Sequence, residues 1–70
     1  MNITINTEII QLDQFLKFAG ACATGGAAQV AITNGEVTVN GEVCLKKRKK
    51  LVVGDKVIYN RNEFVVCGNK

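Results

Sequence analysis

Apolar and polar residues alternate at the start of the chain. Met1, Ile3 and Ile5 are separated by Asn2 and Thr4, a period of two that predicts a strand. From residue 12 the period lengthens. Leu12, Phe15, Leu16 and Ala19 fall at i, i+3, i+4 and i+7, one apolar stripe on a short helix. Asp13 and Gln14 suit the positive end of its dipole, and Gly20 supplies a stop. So short a helix must be held by packing rather than propensity.

A second helix is predicted over 25–33, with Thr24 as its N-cap and Asn34-Gly35 closing it. Its residues are mostly small, so Val30 and Ile32 are the expected anchors. Beyond Gly35 the period returns to two. Val37-Thr38-Val39 and Glu42-Val43-Cys44-Leu45 flank Asn40-Gly41, which specifies a tight hairpin because both turn residues tolerate positive φ. A two-residue turn pairs Val39 with Glu42 and sets Val43 on the face of Thr38; a bulge or wider loop is the alternative.

Residues 46–50 then form a loop or ragged strand, and Leu51-Val52-Val53 leads into a turn at Gly54-Asp55. A strand over 56–59, a turn at Asn60-Arg61-Asn62 and a last strand over 64–67 complete the chain. The expected fold is α+β: two short helices packed on a small, mostly antiparallel sheet of four to five strands. Tyr59, Phe15, Phe18 and Phe64 are expected in its core, since no aromatic pair sits within the basic run.

Composition narrows the function. Seventy residues, 47% of them hydrophobic, fit one folded domain over 1–70 and argue against disorder. With no histidine, one tyrosine and six scattered carboxylates, few groups titrate near neutrality, and so small a domain encloses no large dry pocket. An enzyme and a small-molecule substrate are not expected. Cys22, Cys44 and Cys67 are widely spaced, and no histidine supplies a fourth zinc ligand, so no metal or cofactor is expected either. Three reduced thiols, no leader-like N-terminus and no apolar run of membrane-spanning length point to a cytoplasmic protein.

The net charge of +3 conceals an asymmetry. Residues 44–56 hold six cations against Asp55 alone, a local +5, whereas the rest holds three cations against five acids, a −2 body. Consecutive cations repel one another unless an anionic partner offsets them. A polyanion is the favoured partner over a loop kept basic for solubility or a nuclear-import tract.

Several motifs in order carry a resemblance. Phe15-Leu16-Lys17-x-Ala19-Gly20, Thr24-Gly25-Gly26, Gly35-Glu36-Val37-x-Val39-Asn40-Gly41-Glu42-Val43, the basic cluster and Lys50-Leu51-x-x-Gly54-Asp55-x-Val57 resemble the RNA-binding domain named after ribosomal protein S4, the αL motif. The chain is similar in particular to small bacterial stand-alone proteins built of this domain, over about residues 8–67. The resemblance implies RNA bound by the start of the second helix and the basic hairpin-side surface. Lys17 matches the lysine of the family's first helix, and Thr24, Gly25 and Gly26 match the turn opening the second. Lys46 and Lys47 match a basic pair beyond the hairpin, while Lys49 and Lys50 match basic residues before the Leu-x-x-Gly-Asp turn. Gln29 stands where close relatives usually carry lysine or arginine, so one phosphate contact is expected to be weaker there, or replaced by an amide that meets a sugar or base. Arg48 stands where a small residue is common and adds charge.

The chemistry agrees with the resemblance. Amides at a helix start attract anions, and glycines let a phosphate approach the backbone. Thr24-Gly25-Gly26 also has a bland reading, an N-cap with glycines needed for tight packing, and Lys17 one as a solvated helix residue. No Gly-Lys-Ser/Thr follows, so this is not a nucleotide-binding P-loop. Residues 46–50 are expected to meet phosphates as point charges, giving affinity without sequence readout. The expected protein is a monomeric RNA-binding module for folded RNA, with ribosomal RNA among its candidates. The rivals are an adaptor whose basic loop meets an acidic protein, and a duplex-DNA binder.

Overall fold

The computed structural model describes residues 1–68. The strands and helices are β1 (Asn2–Ile5), β2 (Ile9–Gln11), α1 (Leu12–Phe18), α2 (Gly25–Thr33), β3 (Val37–Val39), β4 (Glu42–Val43), β5 (Lys50–Val52), β6 (Lys56–Tyr59) and β7 (Asn62–Gly68). Five strands form one sheet in the order β1-β7-β6-β3-β4, and β2 pairs with β5 in a separate two-stranded sheet. Only β1–β7 is parallel; the other pairings are antiparallel. The α+β expectation holds. No helix among the described residues is long and apolar enough to cross a membrane.

The apolar stripe of α1 does what its spacing predicts: Leu12, Phe15 and Leu16 are fully buried. Phe15 meets Phe64 of β7 edge to face, with ring centroids 6.4 Å apart. Helix α2 turns Ala28, Ala31 and Ile32 inward at i, i+3 and i+4. Val30 lies on the opposite side and is 59% exposed, so only Ile32 of the two expected anchors serves as one. Phe18 is likewise 59% exposed, which corrects its expected place in the core. It lies off the Leu12–Phe15–Leu16 stripe, beside a groove shared with Gln14, Ile9 and Ile10.

The hairpin takes the two-residue turn. Val39 pairs with Glu42 and Thr38 with Val43. Asn40 at φ 52° and Gly41 at φ 87° give the mirror-image turn whose twist matches the strands. Asn40 also fastens this turn to the next. Its Nδ2 donates to Asp55 Oδ1 (3.1 Å), its Oδ1 accepts from the Lys56 amide (2.9 Å), and Asp55 Oδ2 accepts from the Val52 amide (2.9 Å). The Val-Asn-Gly and Gly-Asp signatures are therefore one structural lock that ties the hairpin turn to the turn between β5 and β6.

Candidate nucleic-acid interface

The basic segment is held by its backbone. The Lys49 amide donates to the Lys46 carbonyl (3.1 Å), closing a turn with Lys47 and Arg48 at its tip. The Lys49 and Lys47 carbonyls accept from the amides of Leu12 (2.8 Å) and Asp13 (3.0 Å). Those amides open α1, where Gln11 provides no side-chain cap. The first turn of a helix leaves such donors unpaired, so the loop caps the helix and the helix fixes the loop.

The side chains of Lys46, Lys47, Arg48, Lys49 and Lys50 all remain exposed. Among the described residues the one ion pair is Lys56 Nζ–Glu63 Oε1 at 3.9 Å, on β6 and β7, so these five cations have no carboxylate within 4 Å. Their mutual repulsion stays uncompensated within the described fold.

Asp13 connects the loop to the second helix. It is only 6% exposed; its Oδ1 accepts from the Gln14 amide (2.8 Å) and its Oδ2 from Gln29 Nε2 (3.0 Å). The sequence places Asp13 favourably in the dipole of α1, and the fold adds this bridge to α2. Gln29 thus turns its amide nitrogen to Asp13, and its carbonyl oxygen takes no part in that bond.

Thr24 caps α2 as expected, its Oγ accepting from the Ala27 amide at 3.1 Å. The glycines after it are not there for packing. A Cβ at Gly25 would meet nothing within 4 Å, and one at Gly26 only Thr24 Oγ at 3.9 Å. Side chains at both positions would therefore be uncrowded, contrary to the tight-packing reading.

Lys17 is exposed on the last turn of α1. Beyond it the chain folds back, with Ala21 and Cys22 amides donating to the Leu16 carbonyl (2.9 and 3.1 Å). Only Ala23 separates Cys22 from Thr24, so the N-cap of α2 lies within about 7 Å of that anchored residue. Lys17 lies one turn along α1 from Asp13, and Gly25 one turn along α2 from Gln29. The Asp13–Gln29 bond thus stands between the basic turn and a second group formed by Lys17 and the α2 start.

Burial pushes the Cys22 thiol above its ordinary value, which disfavours thiolate chemistry there. Among the described residues no three His, Cys, Asp or Glu side chains gather as metal ligands.

A family model described as the S4 domain matches residues 3–67, so the match includes β1 as well as the motif-bearing region. The chain belongs to the S4 domain family. Within that family it is similar to the probable ribosome maturation protein RlbA of Bacillus subtilis (strain 168), with 46% identity over 55 residues, 79% of this chain and 78% of RlbA. It is also similar to YbcJ of Escherichia coli (strain K12), at 38% over 50 residues, 71% of each chain. The solution structure of YbcJ, which reveals an αL motif involved in RNA binding, superposes with a TM-score of 0.72. That superposition has 30% identity and covers 94% of this chain and 85% of YbcJ. Ribosomal protein S4e of Thermoplasma acidophilum shares the fold of the S4 domain, with a TM-score of 0.62 at 18% identity over 83% of this chain and 31% of S4e.

Proposed function

We propose that this chain is a cytoplasmic, monomeric, single-domain RNA-binding protein without catalytic activity or small-molecule substrate. It docks its basic turn and the start of α2 on the phosphate backbone of structured RNA. The observation that carries this reading is the segment 46–50, whose backbone is pinned to α1 while its five cations stand exposed with no ion-pair partner among the described residues. A cationic loop already held in place loses little conformational freedom on binding, so more of its attraction becomes affinity. Lys46, Lys47, Arg48, Lys49 and Lys50 supply point charges. Lys17 and the open amides at Thr24, Gly25 and Gly26 add a second anion-binding group, and Gln29 offers its carbonyl between them.

The named roles of the relatives support RNA as the partner, and RlbA's supports a ribosomal target. Three free cysteines agree with a reducing compartment. The test is a salt titration of the wild-type protein on a folded ribosomal RNA fragment, with duplex DNA and an acidic protein at matched salt. Three to five neutralised phosphates give a slope of log K against log salt of about −2 to −4.5. A flat slope on RNA, or tighter binding to the duplex DNA or the acidic protein, overturns the reading.

A further inference from the structure

A groove of about 240 Å³ lies between β4 and the basic turn, lined by Val39, Glu42, Val43, Leu45, Lys46 and Lys49. It is smaller than the roughly 300–1,000 Å³ clefts that take drug-sized ligands, and its size suits one planar ring system. Val43 and Leu45 are 59% and 60% exposed and put apolar surface beside the basic turn. Both rest beside Gly35, where an added Cβ would meet Val43 Cγ1 at 3.8 Å and Leu45 Cδ2 at 3.9 Å, and the groove runs along the free edge of β4 next to them. Lys46 and Lys49 form the two ends of the turn closed by their backbone hydrogen bond, which sets both at the groove.

Glu42 is the residue that a plain phosphate-binding surface does not explain. It lines the same groove as two lysines yet pairs with neither within 4 Å. A free carboxylate there repels phosphate and accepts hydrogen bonds, so its use lies with a donor. A nucleobase edge carrying an exocyclic amine is such a donor. A second groove of about 290 Å³, beside Phe18, has no cation in its lining, so charge complementarity selects the first.

We propose that the groove along the free edge of β4 receives one unpaired base of the RNA, with Val43 and Leu45 on one side of that edge and Glu42 on the other. The flanking phosphates lie on Lys46 and Lys49, and Glu42 accepts a hydrogen bond from the base's exocyclic amine. This rests on the RNA reading above and adds base selection to a site otherwise built for backbone. The ligand class is therefore folded RNA with a bulged or looped-out nucleotide, whose base is already unstacked and costs least to capture.

Three hairpins test it: one fully paired, one with a single bulged adenosine, and one with purine riboside at the bulge, which lacks only the amine. Wild type is expected to bind the adenosine bulge about tenfold more tightly than the paired hairpin, with purine riboside losing most of that gain. Glu42→Ala abolishes the adenosine-over-purine difference, because no side-chain acceptor remains for the amine. Leu45→Ser, at an exposed position, lowers bulge affinity and leaves the paired hairpin unchanged. Equal wild-type binding of all three hairpins at a normal salt slope overturns the base site while leaving the RNA reading intact. Uniform strengthening by Glu42→Ala, with the adenosine-over-purine difference kept, also overturns it, because Glu42 would then act only by repulsion. Absence of salt-dependent binding to any hairpin overturns both readings.

Discussion

The two parts of the interface are held by opposite means. At the start of α2 a side chain, Thr24 Oγ, secures the backbone by accepting from the Ala27 amide, and what precedes that bond is the uncrowded backbone of Gly25 and Gly26. At the basic turn the backbone secures itself to α1 through the Lys47 and Lys49 carbonyls, and what faces outward is side chains. The first can therefore be altered only by changing the space in front of the amides. The second can be altered residue by residue with little cost to folding, because none of its charged side chains takes part in the fold. Stability and RNA affinity should separate accordingly.

The largest effect on stability belongs to the residue between the two parts. Asp13→Ala removes a buried acceptor of two hydrogen bonds and leaves the Gln29 amide without its partner, costing about 2 kcal/mol. In a domain of this size that lowers Tm by roughly 8–16 °C in a thermal melt. A Tm within 2 °C of wild type would show that the two parts are independently fixed.

The glycines come next, and they separate the two readings of the α2 start. Gly25→Ala/Gly26→Ala should leave Tm unchanged or raise it, since neither Cβ clashes and alanine favours helix by up to about 1 kcal/mol per site. RNA affinity should fall about tenfold, because the methyl groups obstruct the phosphate's approach to the backbone. Lost stability with unchanged RNA affinity would make the glycines structural after all. Smallest is Thr24→Ala, which removes the cap and costs about 1 kcal/mol, read as a shift in the denaturant midpoint with an unchanged slope.

The elements legible in the sequence are those whose signals are local. The stripe of α1, the Thr24 cap and the Asn40-Gly41 turn each depend on residues within one or two turns of chain, and each appears where its spacing sets it. Strand β2 has three residues, too few for a period of two to register, and its partner Lys50–Val52 lies forty residues away. Val30 and Phe18 were misplaced by hydrophobicity alone, because a short helix facing a small sheet buries only a narrow stripe.

The site was legible in its charges and not in its supports. Five adjacent cations are visible in any reading of the chain. Two carbonyls bonded to the first amides of α1 leave no side-chain signature at all. The Asp13–Gln29 bond joins residues sixteen apart, each of which has an adequate local explanation on its own helix. Glu42 looked like an ordinary hairpin residue until the fold set it in a groove with two lysines it does not pair.

The central claim is that the side chains of the basic turn bind RNA and do not hold the fold together. Lys46→Glu/Lys47→Glu tests it, with thermal midpoint and salt-dependent RNA affinity measured on the same sample. The account predicts an unchanged midpoint, affinity lower by on the order of 100-fold, and a salt slope shallower by about 1.4–1.8, the loss of two phosphate contacts. A variant that melts normally and binds RNA with wild-type affinity and slope would contradict it.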